Sequence, residues 1–238
     1  MIKFNIRGVS CEDCQTLDCF IKKYCTSKYI SILNDLKETS VYKKDQYIAF
    51  EGYPVLGLFF IQSGKAKVFS SGLNGKTQVV RLTKSGDIIG HRGYGGEKYP
   101  ISAVAIEEST ICFIDNETIY QAFMNNPALT FELMMYYSRE LRKSEAKIKN
   151  QAQMNVREKV ADALISCNTF FNNKSDASFL IQLNRQDIAD LAGINTEQLS
   201  RILSEFKKDG IITVSKEGIT INNLISLEEI ISPFGVVQ

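Results

Sequence analysis

Apolar residues change their spacing several times along the chain, and each change predicts a different element. From Val41 to about Ile114 they come in short runs: Tyr47 to Phe50, Leu58 to Ile61, Ala66 to Phe69, Gln78 to Leu82, Ile101 to Ala105 and Thr110 to Ile114. Turn residues separate the runs at Gly52, Gly57, Ser63-Gly64, Gly72 to Gly75 and Ser85-Gly86, roughly every 8–12 residues, the rhythm of an antiparallel sandwich or barrel. The stretch predicts a small β-roll. Ahead of it, Lys28 to Leu36 reads as a helix. Behind it, Pro127 opens a longer helix in which Leu129, Leu133, Met134, Tyr137, Leu141 and Ile148 return to one face. A helix of ~20 residues spans ~30 Å, more than one β-roll needs to cover, and a Leu and Met stripe left in water is a liability. Self-association along part of that face is therefore predicted, with the rest packed on the roll.

The remaining pattern is helical, then punctuated. Met154 to Phe171 reads as an amphipathic helix with Val156, Val160, Ala163, Leu164 and Cys167 inward, followed by a polar loop, Asn172 to Ser178, and a strand, Phe179 to Leu183. In NRQDIADLAGINTEQLSRILSEFKKDG, Asn184 to Gly210, a helix capped by Asn184 buries Ile188, Ala189 and Leu191 and stops at Gly193. Asn195 then offers a second side-chain cap with Gln198 three residues on, and Leu199, Ile202, Leu203 and Phe206 repeat at helical spacing. Two helices around a tight Gly turn make a helix-turn-helix, and a strand, turn and strand over Ile211 to Ile221 makes it winged. In that motif the N-terminal half of the second helix meets base edges in the major groove, which here names Thr196, Glu197, Ser200 and Arg201. Arg201 can donate two hydrogen bonds to a guanine and Glu197 can accept from a cytosine amino group.

Charge sharpens this picture. The 238 residues carry a net charge of +1, and from Gln151 onward eight Lys and Arg stand against eleven Asp and Glu. Bulk attraction to DNA is thus excluded as the source of affinity; a few placed side chains must supply it, with Arg185 and Gln186 at the head of the first helix and Lys216 in the wing joining the reading residues. No apolar run reaches the ~18 residues of a membrane span, and the N-terminus lacks a signal-peptide core; a cytoplasmic protein without a membrane partner is expected. Neither a nucleophile elbow nor a Walker loop occurs, and the single histidine, His91, has no recognisable acid or nucleophile beside it, so the chain does not read as an enzyme.

Cys11, Cys14, Cys19 and Cys25 crowd into fifteen residues. In a reducing compartment such a cluster points to metal rather than to disulfides, either zinc on four thiolates or an iron-sulfur centre. Cys167 reads as plain core. Gly90 to Glu97 is the richest glycine stretch, read as an exposed turn. His91 and Tyr94 within it are the candidates for a small-molecule pocket, although a lone loop histidine is ordinarily solvated, and haem on His91 is not expected.

The order of elements is α+β: a Cys-rich segment (1–27), a jelly-roll-like β-roll (28–126), a long helix (127–150) and a winged helix (151–238). It resembles the CRP/FNR superfamily of bacterial transcription regulators over essentially the whole chain, most specifically in RQDIADLAGINTEQLSRILSEFKKDGII. The resemblance implies a cyclic-nucleotide-binding-like sensor roll, a homodimer on the long helix, double-stranded DNA with a two-fold symmetric operator, and RNA polymerase as a partner. Cyclic-nucleotide binders of the family carry Gly-Glu and Arg-Ser across the Gly-rich loop. This chain has His91 at the Glu position and Ile101-Ser102 at the Arg-Ser position, and no Arg between Glu97 and Ile114, so an anionic phosphate would lack its cation and cyclic nucleotide is not expected.

The oxygen-sensing branch is the better match. It holds a 4Fe-4S cluster on three N-terminal cysteines and a fourth near the end of the roll, which maps onto Cys11, Cys14, Cys19 and Cys112. The gap from Cys14 to Cys19 is shorter than is usual in that branch, and Cys25 remains an alternative ligand. Glu197, Ser200 and Arg201 look like the residues with which that branch reads TTGAT half-sites, whereas the cyclic-AMP branch has an Arg at the position of Thr196 and a Gly at that of Ser200. The expected function is a homodimeric, sequence-specific regulator under cluster, redox or nitric-oxide control. The alternative is a regulator of the same fold controlled by a small molecule or haem in the roll, with structural cysteines.

Overall fold

Two antiparallel sheets form the roll, and their register decides where its chemistry faces. The computed structural model describes residues 9–171 and 180–234; the loop expected over Asn172 to Ser178, and Phe179 at the head of its strand, lie outside them. Strands β1 (Glu38–Tyr42), β2 (Tyr47–Ala49), β3 (Gly57–Ser63), β4 (Lys65–Ser71), β5 (Thr77–Lys84), β6 (Ile88–Ile89), β7 (Ser102–Ala105) and β8 (Ser109–Asp115) pair in the orders β1-β8-β3-β6 and β2-β7-β4-β5. Successive side chains of a strand point to opposite faces. In β8, Ile111 therefore enters the core between the sheets with Ile61, Ala66, Val68 and Ile89. Its neighbour Cys112 turns to the other face, against a second core of Phe20, Ile21, Leu33, Leu58, Phe60 and Ile114. Cys112 sits in the middle of its sheet, opposite Thr39 of β1 and Phe60 of β3.

That second core is what the N-terminal segment and its helices cover. Helix α1 (Phe20–Tyr24) buries Phe20 and Ile21, and α2 (Ser27–Leu36) buries Leu33. Helices α3 (Asn116–Asn125) and α4 (Pro127–Gln153) complete it with Ile119, Ala122, Leu129 and Leu133. Asn126, at the corner between α3 and α4, fastens the segment: its Oδ1 accepts from the Thr26 N–H at 3.1 Å and the Thr26 hydroxyl at 2.8 Å, and its Nδ2 donates to the Ala122 carbonyl at 2.7 Å. Asn126 is 1% exposed. Asn126→Ala is expected to cost about 1–3 kcal/mol, the penalty for stranding such partners, seen as a lower urea midpoint with an unchanged slope.

The single apolar stripe expected along α4 divides in two. Leu129 and Leu133 are buried with Tyr136 and Tyr137 packed beside them, whereas Phe131, Met134, Leu141 and Ile148 are 55%, 56%, 61% and 70% exposed. Met134, Leu141 and Ile148 recur every seven residues, the spacing that keeps side chains in one seam.

The chain forms two units that divide within α4, Met1–Ser138 and Arg139–Gln238. In the second, α5 (Val156–Phe171) buries Val160, Ala163, Leu164 and Cys167, while Val156 is only half-buried. Cys167 is core as expected, its thiol pushed up to about 12 by burial. Strands β9 (Leu180–Ile181), β10 (Ile212–Val214) and β11 (Ile219–Ile221) pair in the order β10-β11-β9 beside α6 (Arg185–Ala192) and α7 (Thr196–Lys208). A last helix, α8 (Leu224–Ile231), packs Leu227 and Ile231 onto α5 and has no counterpart in the sequence reading. Its signal is present in retrospect: the Asn223 side chain accepts from the Ser226 N–H at 3.1 Å and caps it.

Candidate functional site

Local chemistry sets the helix-turn-helix before any packing does. The Asn184 side chain accepts from the Asp187 N–H at 2.7 Å, and Gly193, at φ 68°, supplies the left-handed residue that ends α6. Asn195 and Gln198 then bond each other's backbone N–H groups in a reciprocal capping box, which fixes where α7 begins. With Leu199, Ile202, Leu203 and Phe206 buried on one face, helical spacing carries Glu197, Ser200 and Arg201 to another. Glu197 and Arg201 are exposed and Ser200 is half-buried. Arg185 of α6 donates to the Ser200 hydroxyl at 3.2 Å, and Gln186 donates to Asp190 at 2.7 Å, so the two helices share one polar face. Thr196 is half-buried at the start of α7, and Lys216 is exposed in the turn between β10 and β11.

On the other unit, one cavity has the cysteines in its wall. Cys11, Cys14, Cys19 and Cys112 line it together, with Thr16, Ile21, Lys22, Leu33, Lys37 and Gln62 among their neighbours, around about 490 Å³ of space counted to its solvent mouth. The thiols surround this space rather than meeting at a point: among the described residues no three His, Cys, Asp or Glu stand close enough to hold a single ion. Small contacts tie the segment over the roll. The Cys11 N–H donates to Asn34 Oδ1 at 2.9 Å, the Thr16 hydroxyl to the Gln62 carbonyl at 2.6 Å, and the Lys22 ammonium to the Cys14 carbonyl at 2.6 Å. Burial pushes the Cys11, Cys19 and Cys112 thiols upward, and the Lys37 ammonium pulls back at Cys11 and Cys112. Cys25 is absent from the wall. Its thiol contacts Asn126 Oδ1 at 3.6 Å, and burial pushes it up to about 11.

The loop expected to expose His91 does the reverse. Residues His91–Gly93 form a 3-10 turn, and His91 is 1% exposed. Its Nδ1 lies 3.1 Å from the Ile88 carbonyl, and that contact leaves Nδ1 as the donor. The ring packs on Tyr136 and Tyr137 at 5.2 and 5.6 Å, and burial drives its pKa down to about 3. The solvated-histidine expectation fails because aromatic rings of α4 close over the loop. His91 does line a second cavity with Arg81, Arg92 and Ile101, but Tyr94 is not among its lining residues and packs on Phe123 instead. The expected pairing of His91 with Tyr94 in one pocket is therefore not what the structure forms.

Sequence reasoning missed Lys22, Asn34, Lys37 and Gln62. Each comes from a different element or from a helix end, so no spacing rule groups them; only Lys22, three residues after Cys19, lies near the cysteine run.

The roll, the long helix and the winged reader together define a DNA-binding transcription regulator, and comparison with known proteins agrees. The family model described as a cyclic nucleotide-binding domain matches residues 39–126, and that of the Crp-like helix-turn-helix domain matches residues 158–230. The transcriptional activator protein anr of Pseudomonas aeruginosa is 27% identical, over 92% of this chain and 90% of that protein. The fumarate and nitrate reduction regulatory protein of Vibrio cholerae is also 27% identical, over 94% and 90%. In fold, FixK2 from Bradyrhizobium japonicum is similar with a TM-score of 0.73 at 21% identity, covering 82% of this chain and 96% of that one. The chain belongs to the CRP/FNR superfamily, and the regulators it resembles are not enzymes. Among the described residues no helix is long and apolar enough to cross a membrane.

Proposed function

We propose that the chain acts as a homodimer that reads TTGAT-like half-sites of a two-fold symmetric operator, under the control of an iron-sulfur cluster held by Cys11, Cys14, Cys19 and Cys112. The observation that carries the sensor half is the shared cavity. Three thiols close in sequence and one nearly a hundred residues away line it, while Cys25, equally close in sequence to the first three, does not. A cluster that takes one thiolate per iron suits thiols set around a space, whereas a lone zinc needs them convergent. Bound there, such a cluster supplies a redox-sensitive centre. The protein's own part is to hold the segment in place through Thr16 on Gln62 and Asn34 on Cys11, and to brace it from within through Lys22. The relatives' names, an anaerobic regulator and a fumarate and nitrate reduction regulator among them, support the same signal.

Dimerisation rests on the exposed seam of Met134, Leu141 and Ile148, and RNA polymerase is the partner the family implies. For reading, Glu197, Ser200 and Arg201 face the bases, with Arg185, Gln186, Thr196 and Lys216 as supporting contacts. The direct test of the sensor is anaerobic purification followed by an absorbance spectrum with iron and sulfide assays; a colourless chain that stays free of iron after reconstitution sinks the cluster. For the reader, Arg201→Ala is expected to lose about 1–3 kcal/mol of preference for a TTGAT duplex over a scrambled one. An unchanged preference in competition binding removes Arg201 from the reading set.

A second reading has one observation behind it: Nε2 of buried His91 has no partner at the wall of the roll cavity. A small molecule with a hydrogen-bond donor would satisfy it, and a haem would show a Soret band on titration.

A further inference from the structure

The thiol cavity has a charge pattern that its cysteines do not explain. Of the residues that line it, two are basic, Lys22 and Lys37, and no carboxylate is among them; the rest are thiols, apolar side chains, Thr16 and Gln62. Both lysines have backbone carbonyl partners, yet the wall itself offers their positive charge no carboxylate, which leaves it suited to an anion. A cluster on four thiolates is such an anion.

The two lysines differ in what they do. Lys22 spends its donors on the backbone of the segment, on the Cys14 carbonyl at 2.6 Å and the Glu12 carbonyl at 3.1 Å. Lys37 stands at the C-terminal cap of α2, its N–H bonded to the Leu33 carbonyl, so its stem is held by the helix end. Its ammonium donates to the Val9 carbonyl at 2.8 Å, and Lys37 shares the cavity wall with both Cys11 and Cys112. These two cysteines approach from opposite sides, one on the N-terminal segment and one on β8. Lys37 thus lines the cavity with both parts of the chain that meet there, and Cys25 is not among the lining residues.

We propose that Lys37 is a positioning residue for the proposed cluster: it compensates the cluster's negative charge between Cys11 and Cys112 and thereby sets its reduction potential and its retention. The proposal rests on the cluster reading above. Potentials of such centres follow net charge, hydrogen bonds and solvent exposure, and a fixed positive charge nearby favours the more negative, reduced state. Removing it makes the centre harder to reduce and easier to lose.

The test compares the full chain, anaerobically reconstituted with ferrous iron and sulfide, with Lys37→Gln, Lys37→Arg and Lys28→Gln. Lys28 is exposed on α2 and is not among the cavity's lining residues, so it controls for loss of a surface charge. Midpoint potential and iron and sulfide content are measured for each. The expected result is a more negative potential for Lys37→Gln, recovery in Lys37→Arg, and no change in Lys28→Gln. If Lys37→Gln loads too little iron for a potential to be read while Lys37→Arg loads fully, the charge requirement is supported by retention instead. Wild-type potential and wild-type iron content in Lys37→Gln overturn the role of Lys37 and leave the cluster reading standing. A native chain that takes up no iron overturns the cluster reading, and the role of Lys37 falls with it.

Discussion

Phe206→Ala is expected to lower the thermal transition of the winged-helix unit by more than about 10 °C, followed by circular dichroism on the full chain. Phe206 is wholly buried at the centre of the face that α7 turns to its own unit, with Leu199, Ile202 and Leu203 around it. Truncating such a ring costs about 3–5 kcal/mol, a large share of the ~5–15 kcal/mol that holds a domain folded, and each kcal/mol is worth roughly 4–8 °C in a unit of this size. The surroundings give little room to collapse. The Arg157 guanidinium lies 4.7 Å from the ring centroid, held by Glu205 and Asp209 at 3.1 Å each. Those ion pairs are about two-fifths exposed, so each is worth ~1 kcal/mol or less. Glu205→Ala should therefore move the transition only slightly. Equal shifts for the two variants would mean that the ring is not the main support of α7.

The second large effect separates the two candidate ligand sets. Cys112→Ser should abolish iron uptake on anaerobic reconstitution, and Cys25→Ser should leave it at the wild-type level. Serine keeps the size of cysteine but replaces a soft thiolate with a hydroxyl that iron-sulfur centres do not ordinarily use. Both thiols are half-buried and both are pushed upward by burial, so accessibility alone does not divide them. Their positions do. Cys112 is on the cavity wall beside Gln62 and Thr39, whereas Cys25 is turned to the Asn126 corner. The reverse outcome, uptake lost with Cys25 and kept without Cys112, would return the site to the N-terminal run alone.

Much of this was legible in the residues because it is local. Asn184, Gly193 and the Asn195 and Gln198 pair write the helix-turn-helix within thirty residues, and the structure reproduces each cap. The rhythm of apolar runs and glycines likewise marks the strands of the roll. What was not legible depends on distance. The burial of His91 needs Tyr136 and Tyr137, more than forty residues on, and a Gly-rich neighbourhood read alone suggests solvent. The division of the α4 stripe needs the roll in place, since periodicity finds a face but not its partner. Strand β1 begins at Glu38, ahead of the apolar run at Val41, because Thr39 is buried against Cys112 as a polar residue. Helix α8 is local as well, announced by the Asn223 cap and its apolar spacing, and is absent from the sequence reading.

The alternation of β8 carries one more consequence. Cys112 reaches the cavity only because its strand pairs Thr39 and Phe60 with it, and a side-chain period of two means that a slip by one residue exchanges the faces. The roll would then present Ile111 or Phe113 to the segment and bury the thiol between its sheets. Strand registration is thus a checkpoint for assembling the proposed cluster site: a roll can pair its strands, look folded by secondary structure, and still withhold Cys112 from the cavity.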